Sequence, residues 1–194
     1  INFATSMVGH WYGGLGLAGV LACALFAAVS GSSPATVVAI GSILLPAMVK
    51  QGYPNKFGAG VIATSGALGI LIPPSIVMVM YAVATNTSVG ALFIAGIIPG
   101  LALATLLGLT TWWRARKNNY PRQPRASWTD RWQAFRKSVW GLLLIIVVIG
   151  GIYSGMFTPT EAAAMSAVYA FVVAIFVYRD MPLSKVPKVL LDSA

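Results

Sequence analysis

Apolar residues run almost unbroken from Gly13 to Val29 and again from Ala35 to Val49. As helices rising about 1.5 Å per residue, these runs reach only roughly 25 and 22 Å. Both fall short of a hydrocarbon core of roughly 30 Å. Ser30-Gly31-Ser32-Ser33-Pro34 lies between them, without charge and without a long polar loop to mark the far side of a membrane. The pattern predicts a re-entrant helical hairpin over 13–49 whose polar tip stops at membrane depth. Non-helical backbone is tolerated there only against protein or in a wet cavity.

The next apolar stretch, Phe57 to Thr85, is too long for one ordinary span, and Gly66-Ala67-Leu68-Gly69-Ile70-Leu71-Ile72-Pro73-Pro74-Ser75 interrupts it. Neither proline can donate an amide hydrogen bond, and each pushes the preceding residue out of the α region. Two half-helices are expected, at 57–69 and 74–85. A plain proline kink is the alternative, and the two glycines ahead of the double proline favour unwinding. Beyond Asn86-Thr87-Ser88, a span over 90–113 passes Pro99-Gly100 and ends in Trp112-Trp113, directly before Arg114. Residues 1–113 thus form one unit, followed by a basic loop at 114–137. Within that loop Ser127-Trp128-Thr129-Asp130 resembles an acidic capping box, and Trp128, Trp132 and Phe135 recur at helical spacing, as in a helix lying on the inner leaflet. Residues 138–194 hold two further spans, 139–154 and 160–177, joined by Gly155-Met156-Phe157-Thr158-Pro159, and a cytoplasmic tail.

Composition places this pattern in lipid. The chain is 58% hydrophobic and 9% charged, with a mean hydropathy of +0.81, and it reads as an all-α polytopic membrane protein. A net charge of +9 could suggest a nucleic-acid partner, but its distribution argues for the bilayer instead. Arg114, Arg116, Lys117, Arg122, Arg125, Arg131, Arg136 and Lys137 sit between two spans, and Lys50, Lys56, Arg179, Lys185 and Lys188 flank apolar segments. If the hairpin opens to the cytoplasm, span parity puts every one of these on the inner side, as the positive-inside rule requires. The chain opens at Ile1 without a signal-peptide pattern, and an internal piece of a longer protein is expected. Cys23, the single cysteine, lies in an apolar run and reads as a buried, inert thiol.

Secondary transporters build binding sites from hairpin tips and broken helices. Half-helix N-termini face an anion, while unwound carbonyls and helix C-termini coordinate Na⁺. Ser30, Gly31, Ser32 and Ser33 offer hydroxyls, carbonyls and an approachable backbone, and an oxygen-only donor set suits a hard cation. Ser33-Pro34 reads as an N-cap followed by proline at the first helical position, the role Pro74 would take for its own half-helix. Membrane serines also bond simply to backbone or neighbouring helices. Glu161 is an acidic residue inside an apolar stretch, where a carboxylate invites a functional reading. Thr158-Pro159-Thr160-Glu161 nevertheless spells a capping box, and that role is preferred. His10, beside Trp11 and Tyr12, is read as interfacial. A membrane-embedded hydrolase using the tip serines would need a base within hydrogen-bonding reach, and Ser32 lies roughly 30 Å from His10 along a continuous helix. An ATP-driven importer permease would leave the hairpin and the broken helix unexplained.

Ser30 to Met48 (SGSSPATVVAIGSILLPAM), Gly66 to Ser75 (GALGILIPPS), Leu92 to Gly100 (LFIAGIIPG) and Gly150 to Ala164 (GGIYSGMFTPTEAAA) resemble, in order, the large membrane subunit of the tripartite ATP-independent periplasmic (TRAP) transporters. The resemblance implies an elevator-type fold of the ion-transporter superfamily in the bacterial inner membrane, of which this chain would be the first repeat. It implies Na⁺ coupling, a small four-helix membrane subunit, and a periplasmic substrate-binding protein that delivers an organic acid. A C4-dicarboxylate is expected first, with sialic acid, another sugar acid or a keto acid behind it. By position, Ser30, Gly31, Ser32, Ser33, Pro73, Pro74 and Ser75 would contribute to the substrate site, and Ser32, Ser33, Gly66 and Gly69 to the Na⁺ site. Ser127 to Lys137 resembles the scaffold's arm region. Family members are about twice as long, so the other half of the site, with any basic residue gripping the substrate, would lie in a second repeat.

Overall fold

A computed structural model of the chain describes residues 2–179, 182 and 185–193. Ile1, residues 180, 181, 183, 184 and 194 of the expected tail, and the side chain of Lys188 lie outside the described residues. Every described regular element is helical. In chain order they are α1 (Asn2–Val8), α2 (Gly14–Ser30), α3 (Ser33–Lys50), α4 (Asn55–Gly66), α5 (Leu68–Leu71), α6 (Ile76–Thr85), α7 (Val89–Lys117), α8 (Trp128–Tyr153), α9 (Pro159–Val172, continued by a π-helical turn at Val173–Val177) and α10 (Val186–Ser193). Two compact units are formed, Ile1–Val139 and Trp140–Ala194.

The first unit is built around α2. This helix is apolar on every side, and such helices belong inside. Leu15, Ala18, Val20, Cys23 and Ala27 are all buried, enclosed by α1, α3, α4, α5 and α7. Small residues permit that density: a Cβ at Gly19 would lie 2.5 Å from Leu44 Cδ2, and one at Gly16 would lie 3.0 Å from Thr111 Cγ2. Away from α2 the polarity of a soluble protein is inverted. Ile98 is 77% exposed, Val83 72% and Val38 70%, an apolar exterior suited to lipid or to protein partners. Among the described residues four helices, α3, α7, α8 and α9 with its π turn, are long and apolar enough to cross a membrane, while α2 is shorter.

Two boundaries differ from expectation, each for a physical reason. The arm segment and the following span are one continuous helix, α8. Its start is held by the acidic capping box, in which Asp130 Oδ2 accepts from Ser127 N at 3.0 Å and Ser127 Oγ accepts from Asp130 N at 3.2 Å. No proline or glycine separates Asp130 from Trp140, so nothing stops the helix at the edge of the apolar run. The long interrupted stretch is divided three ways rather than two. α4 ends at Gly66, α5 adds one turn, the chain is extended at Ile72 and Ser75, and α6 begins only at Ile76. The two flanks are bent by 40°.

In the second unit, Tyr169 Oη donates to the Trp140 carbonyl at 2.9 Å, which ties α9 to the middle of α8. The turn is closed by the predicted capping box. Glu161 Oε2 accepts from Thr158 N at 2.8 Å, and Thr158 Oγ1 accepts from Glu161 N at 3.3 Å. The carboxylate is exposed and already committed to the start of its own helix. Glu161→Gln keeps an acceptor oxygen at that position. If the full-length protein carries out the Na⁺-coupled uptake that the resemblance implies, this variant is expected to stay within about twofold of wild type for a change worth at most a few tenths of a kcal/mol, and a loss of Na⁺ dependence in it would assign Glu161 to ion coupling instead.

Candidate functional site

At the tip, α2 closes on Gly31, whose φ of 60° is left-handed and whose N–H returns to the Ala27 carbonyl. This is the glycine C-cap geometry that L-residues adopt at a cost. Ser32 is extended and precedes α3, with Pro34 in the first helical turn. The expected N-cap, Ser33, is therefore already helical, and Ser32 takes its place. Its side chain makes no cap bond. At the break the helix start is displaced the other way, two residues later than expected. Pro74 lies before the helix, and Ser75, buried and extended, is the N-cap, accepting from Met78 N at 3.5 Å. Pro73 forces Ile72 extended, and the chain needs Ser75 to turn back into a helix.

Tip and break are joined by backbone. Ile76 N donates to the Gly31 carbonyl at 3.2 Å. A Cβ at Gly31 would lie 2.5 Å from the Pro74 carbonyl oxygen, and one at Gly69 would lie 2.8 Å from the Ser32 carbonyl carbon and 2.9 Å from Ser33 N. Gly66 is as close to the returning helix, its Cβ position 2.1 Å from Val37 Cγ2. All nine residues singled out in the sequence thus belong to one cluster, in which glycines let two unwound segments touch. The other face of the break rests on α7, where Cβ atoms at Gly96 and Gly100 would lie 2.8 and 3.5 Å from the Leu71 carbonyl oxygen.

The oxygens of the cluster divide into engaged and free. The Gly31 carbonyl is taken by Ile76, and the Ser32 carbonyl accepts from Thr36 N at 3.0 Å and from Thr36 Oγ1 at 2.8 Å. Ser30 Oγ lies 3.1 Å from Thr36 Oγ1, inside the same network. The hydroxyls of Ser32 and Ser33 are half-buried and have no such partner. The amides of Ser33 and Ala35 find no backbone acceptor, nor do the carbonyls of Val29 and Ser30 a backbone donor, as helix termini dictate. The tip therefore offers donors on the α3 side and acceptors on the α2 side. Ser42, farther along α3, is exposed and bonds to the Ala39 carbonyl of its own helix.

Two residues escaped the sequence reading. Thr36 is fully buried and ties Ser30 to Ser32. Ser65, fully buried on α4 beside Gly66, leaves Oγ without any partner, and such an orphan stands out because nearly all buried polar groups are paired. Both are hydroxyl residues within a turn of a motif already marked, which was the available signal. Among the described residues no group of three or more His, Cys, Asp or Glu gathers to hold a metal; hydroxyl and carbonyl oxygens are the donors this cluster presents.

Comparison with known proteins defines the class. The family model for the DctM component of the tripartite ATP-independent periplasmic transporter matches residues 1–194. The chain is 70% identical to the C4-dicarboxylate TRAP transporter large permease protein DctM of Rhodobacter capsulatus, covering 100% of this chain and 47% of that protein. It is 60% identical to the permease of the same description from Pseudomonas aeruginosa, covering 100% and 45%. It is 46% identical to the ectoine/5-hydroxyectoine TRAP transporter large permease protein of Ruegeria pomeroyi, covering 96% and 44%. The chain belongs to the DctM family of TRAP transporter large permeases, a class of transporters rather than enzymes, and it spans about half the length of these relatives.

Proposed function

We propose that the full-length protein is the large permease of a TRAP transporter that takes up a C4-dicarboxylate by Na⁺ symport across the bacterial inner membrane. A periplasmic substrate-binding protein delivers the substrate, and a small four-helix membrane subunit braces the permease. The observation that carries this reading is the backbone joint between hairpin tip and helix break, which presents free amides and hydroxyls next to free carbonyls. Amides at the start of α3 suit a carboxylate, and carbonyls at the end of α2 suit a cation. The choice of a C4-dicarboxylate rests on the identity order, since the relatives at 70% and 60% carry that name and the ectoine permease stands at 46%.

Na⁺ would be held by the Ser32 and Ser33 hydroxyls with backbone oxygens near Gly66 and Gly69, and the orphan Ser65 Oγ fits such a donor set. The ion would supply positive charge that lowers the cost of bringing a dicarboxylate to membrane depth. Ser32 and Ser33 orient ligands at the tip, Gly66 and Gly69 keep tip and break in contact, and Pro73 and Pro74 keep the helix open. Because these parts are joined by backbone, the tip, the break and the substrate travel as one body, which supports elevator movement against a scaffold.

Proteoliposomes holding the full-length permease, its small subunit and its loaded binding protein are expected to accumulate succinate only with an inward Na⁺ gradient, and without ATP. Uptake that persists in Na⁺-free buffer, or that demands ATP, overturns the coupling.

A further inference from the structure

We propose that the permease carries a specific site for the phosphate of an anionic phospholipid at the cytoplasmic end of the α7 helix, built by Arg122, Arg125 and His10 over an aromatic wall of Trp11, Tyr12 and Trp112. These six residues line a cavity of about 390 Å³ in the first unit. The site is separate from the hairpin tip and uses none of its residues. It rests on the inner-leaflet placement of the basic loop, and its test reads lipid binding directly, so a failed transport mechanism would leave it standing.

The loop that carries the arginines is fixed in place. Tyr120 N donates to the Ala115 carbonyl at 3.0 Å, Gln123 N donates to the Gly9 carbonyl at 3.0 Å, and Tyr53 Oη donates to the Pro121 carbonyl at 2.6 Å. The Tyr120 ring packs edge-on to Phe57, with centroids 4.7 Å apart. Between these anchors the Arg122 guanidinium lies over the Tyr12 ring, 3.9 Å from its centroid. Stacking on an aromatic face leaves the guanidinium edge, with its fork of donors, available to an anion, and that fork matches phosphate geometry.

Nothing in the wall neutralises this charge. The lining holds no acidic residue. The described carboxylates of Asp130 and Glu161 are occupied in capping boxes at the starts of α8 and α9. His10 also lines the cavity, and its Nδ1 is buried without a hydrogen-bond partner, an orphan of a kind seldom left unpaired. The surroundings select a lipid over a free anion. Leu109 and Leu101 stand about one and three turns before Trp112 on the same face of α7, 56% and 61% exposed, an apolar track for acyl chains leading from the phosphate pocket. Arg116 lies over the Trp112 ring at 5.4 Å and Lys117 over Trp113 at 5.5 Å, which widens the basic rim at headgroup level. Basic pockets beside membrane helices on the cytoplasmic side are where anionic headgroups are recognised.

Native mass spectrometry of the full-length permease with its small subunit, titrated with phosphatidylglycerol, tests the site. Loss of both guanidinium charges in Arg122→Gln/Arg125→Gln is expected to weaken binding about twenty-fivefold, at about fivefold per basic residue. The control pair Arg136→Gln/Lys185→Gln removes the same charge elsewhere and should bind as wild type does. Phosphatidylcholine should show no difference among the three proteins, and millimolar inorganic phosphate should not displace the lipid. Equal weakening in the control pair, wild-type affinity in the pocket pair, or displacement by inorganic phosphate would each overturn the proposal. Should the Gln pair fail to fold, Arg122→Lys/Arg125→Lys retains charge and loses the fork; severalfold weaker binding is then expected, and unchanged binding refutes the site.

Discussion

Gly69→Ala is expected to cut Na⁺-dependent uptake by roughly tenfold to a hundredfold while the protein still inserts. The new methyl would sit 2.8 Å from the Ser32 carbonyl carbon and 2.9 Å from Ser33 N. Those are backbone atoms at the start of a helix, and they cannot rotate aside as a side chain does. Tip and break must separate by several tenths of an ångström, which loosens the Ile76 N to Gly31 carbonyl bond. Overpacking of this kind costs about 1–3 kcal/mol, and each 1.4 kcal/mol is a factor of ten. If the working geometry bears that cost, uptake falls by the stated amount. Gly60→Ala is the comparison, because a Cβ there meets nothing within 4 Å, and mid-helix Ala is the better helix former by about 1 kcal/mol. It should raise the melting temperature and leave uptake intact. Wild-type uptake by Gly69→Ala, measured per folded protein, would mean that tip and break need not touch during transport.

Ser32→Ala and Ser33→Ala should each lower apparent Na⁺ affinity roughly tenfold, with expression and melting temperature little changed. Neither hydroxyl supports the fold: Ser32 makes no cap bond, and the internal network of the tip runs through Ser30, Thr36 and the Ser32 carbonyl, which both variants retain. A hydrogen bond to a charged group is worth about 1.5–3 kcal/mol, and an ion contact of similar size gives at least the tenfold change, since 1.4 kcal/mol is a factor of ten. Ser42→Ala, losing only a bond to its own helix, serves as the control. The readout is uptake across a Na⁺ titration, normalised to folded protein. Unchanged Na⁺ affinity in both tip variants would leave these hydroxyls to packing and move the ion elsewhere.

What the sequence made legible were features written in local chemistry. Two capping boxes, a glycine-serine tip and a double proline each follow from a few adjacent residues, and the structure has helix starts and interruptions at all of them. What it concealed depended on residues far apart in the chain. That Gly31 faces Pro74 while Gly69 faces Ser32 is a matter of tertiary packing, although each glycine is visible alone. The helix starts fell one residue early at the tip, with Ser32 as N-cap, and two residues late at the break, with Ser75 as N-cap, because proline is acceptable throughout the first helical turn and before it. The short α1 helix had no apolar period to announce it. The continuity of α8 was hidden by a change of composition, from aromatic and basic to purely apolar, that the backbone ignores. Ser65 was lost among helical serines, and only its missing partner distinguishes it.

The joint between Gly31 and Ile76 also bears on biogenesis. The hairpin emerges from the ribosome well before the residues that complete it, so for a time its tip has an unclaimed carbonyl at Gly31 and hydroxyls with nothing to face. Unpaired backbone groups cost several kcal/mol each in hydrocarbon, and α2 and α3 alone cannot cover them. With the tip at membrane depth, as the proposed function has it, a hairpin released early into lipid would be driven to stretch across the bilayer or to slip back to the surface. Correct assembly then depends on timing: the nascent hairpin has to stay in a hydrated or proteinaceous environment until α4 to α6 arrive to seal it. Slow synthesis between the hairpin and the double proline would raise the fraction of misthreaded chains without altering a single contact of the finished protein.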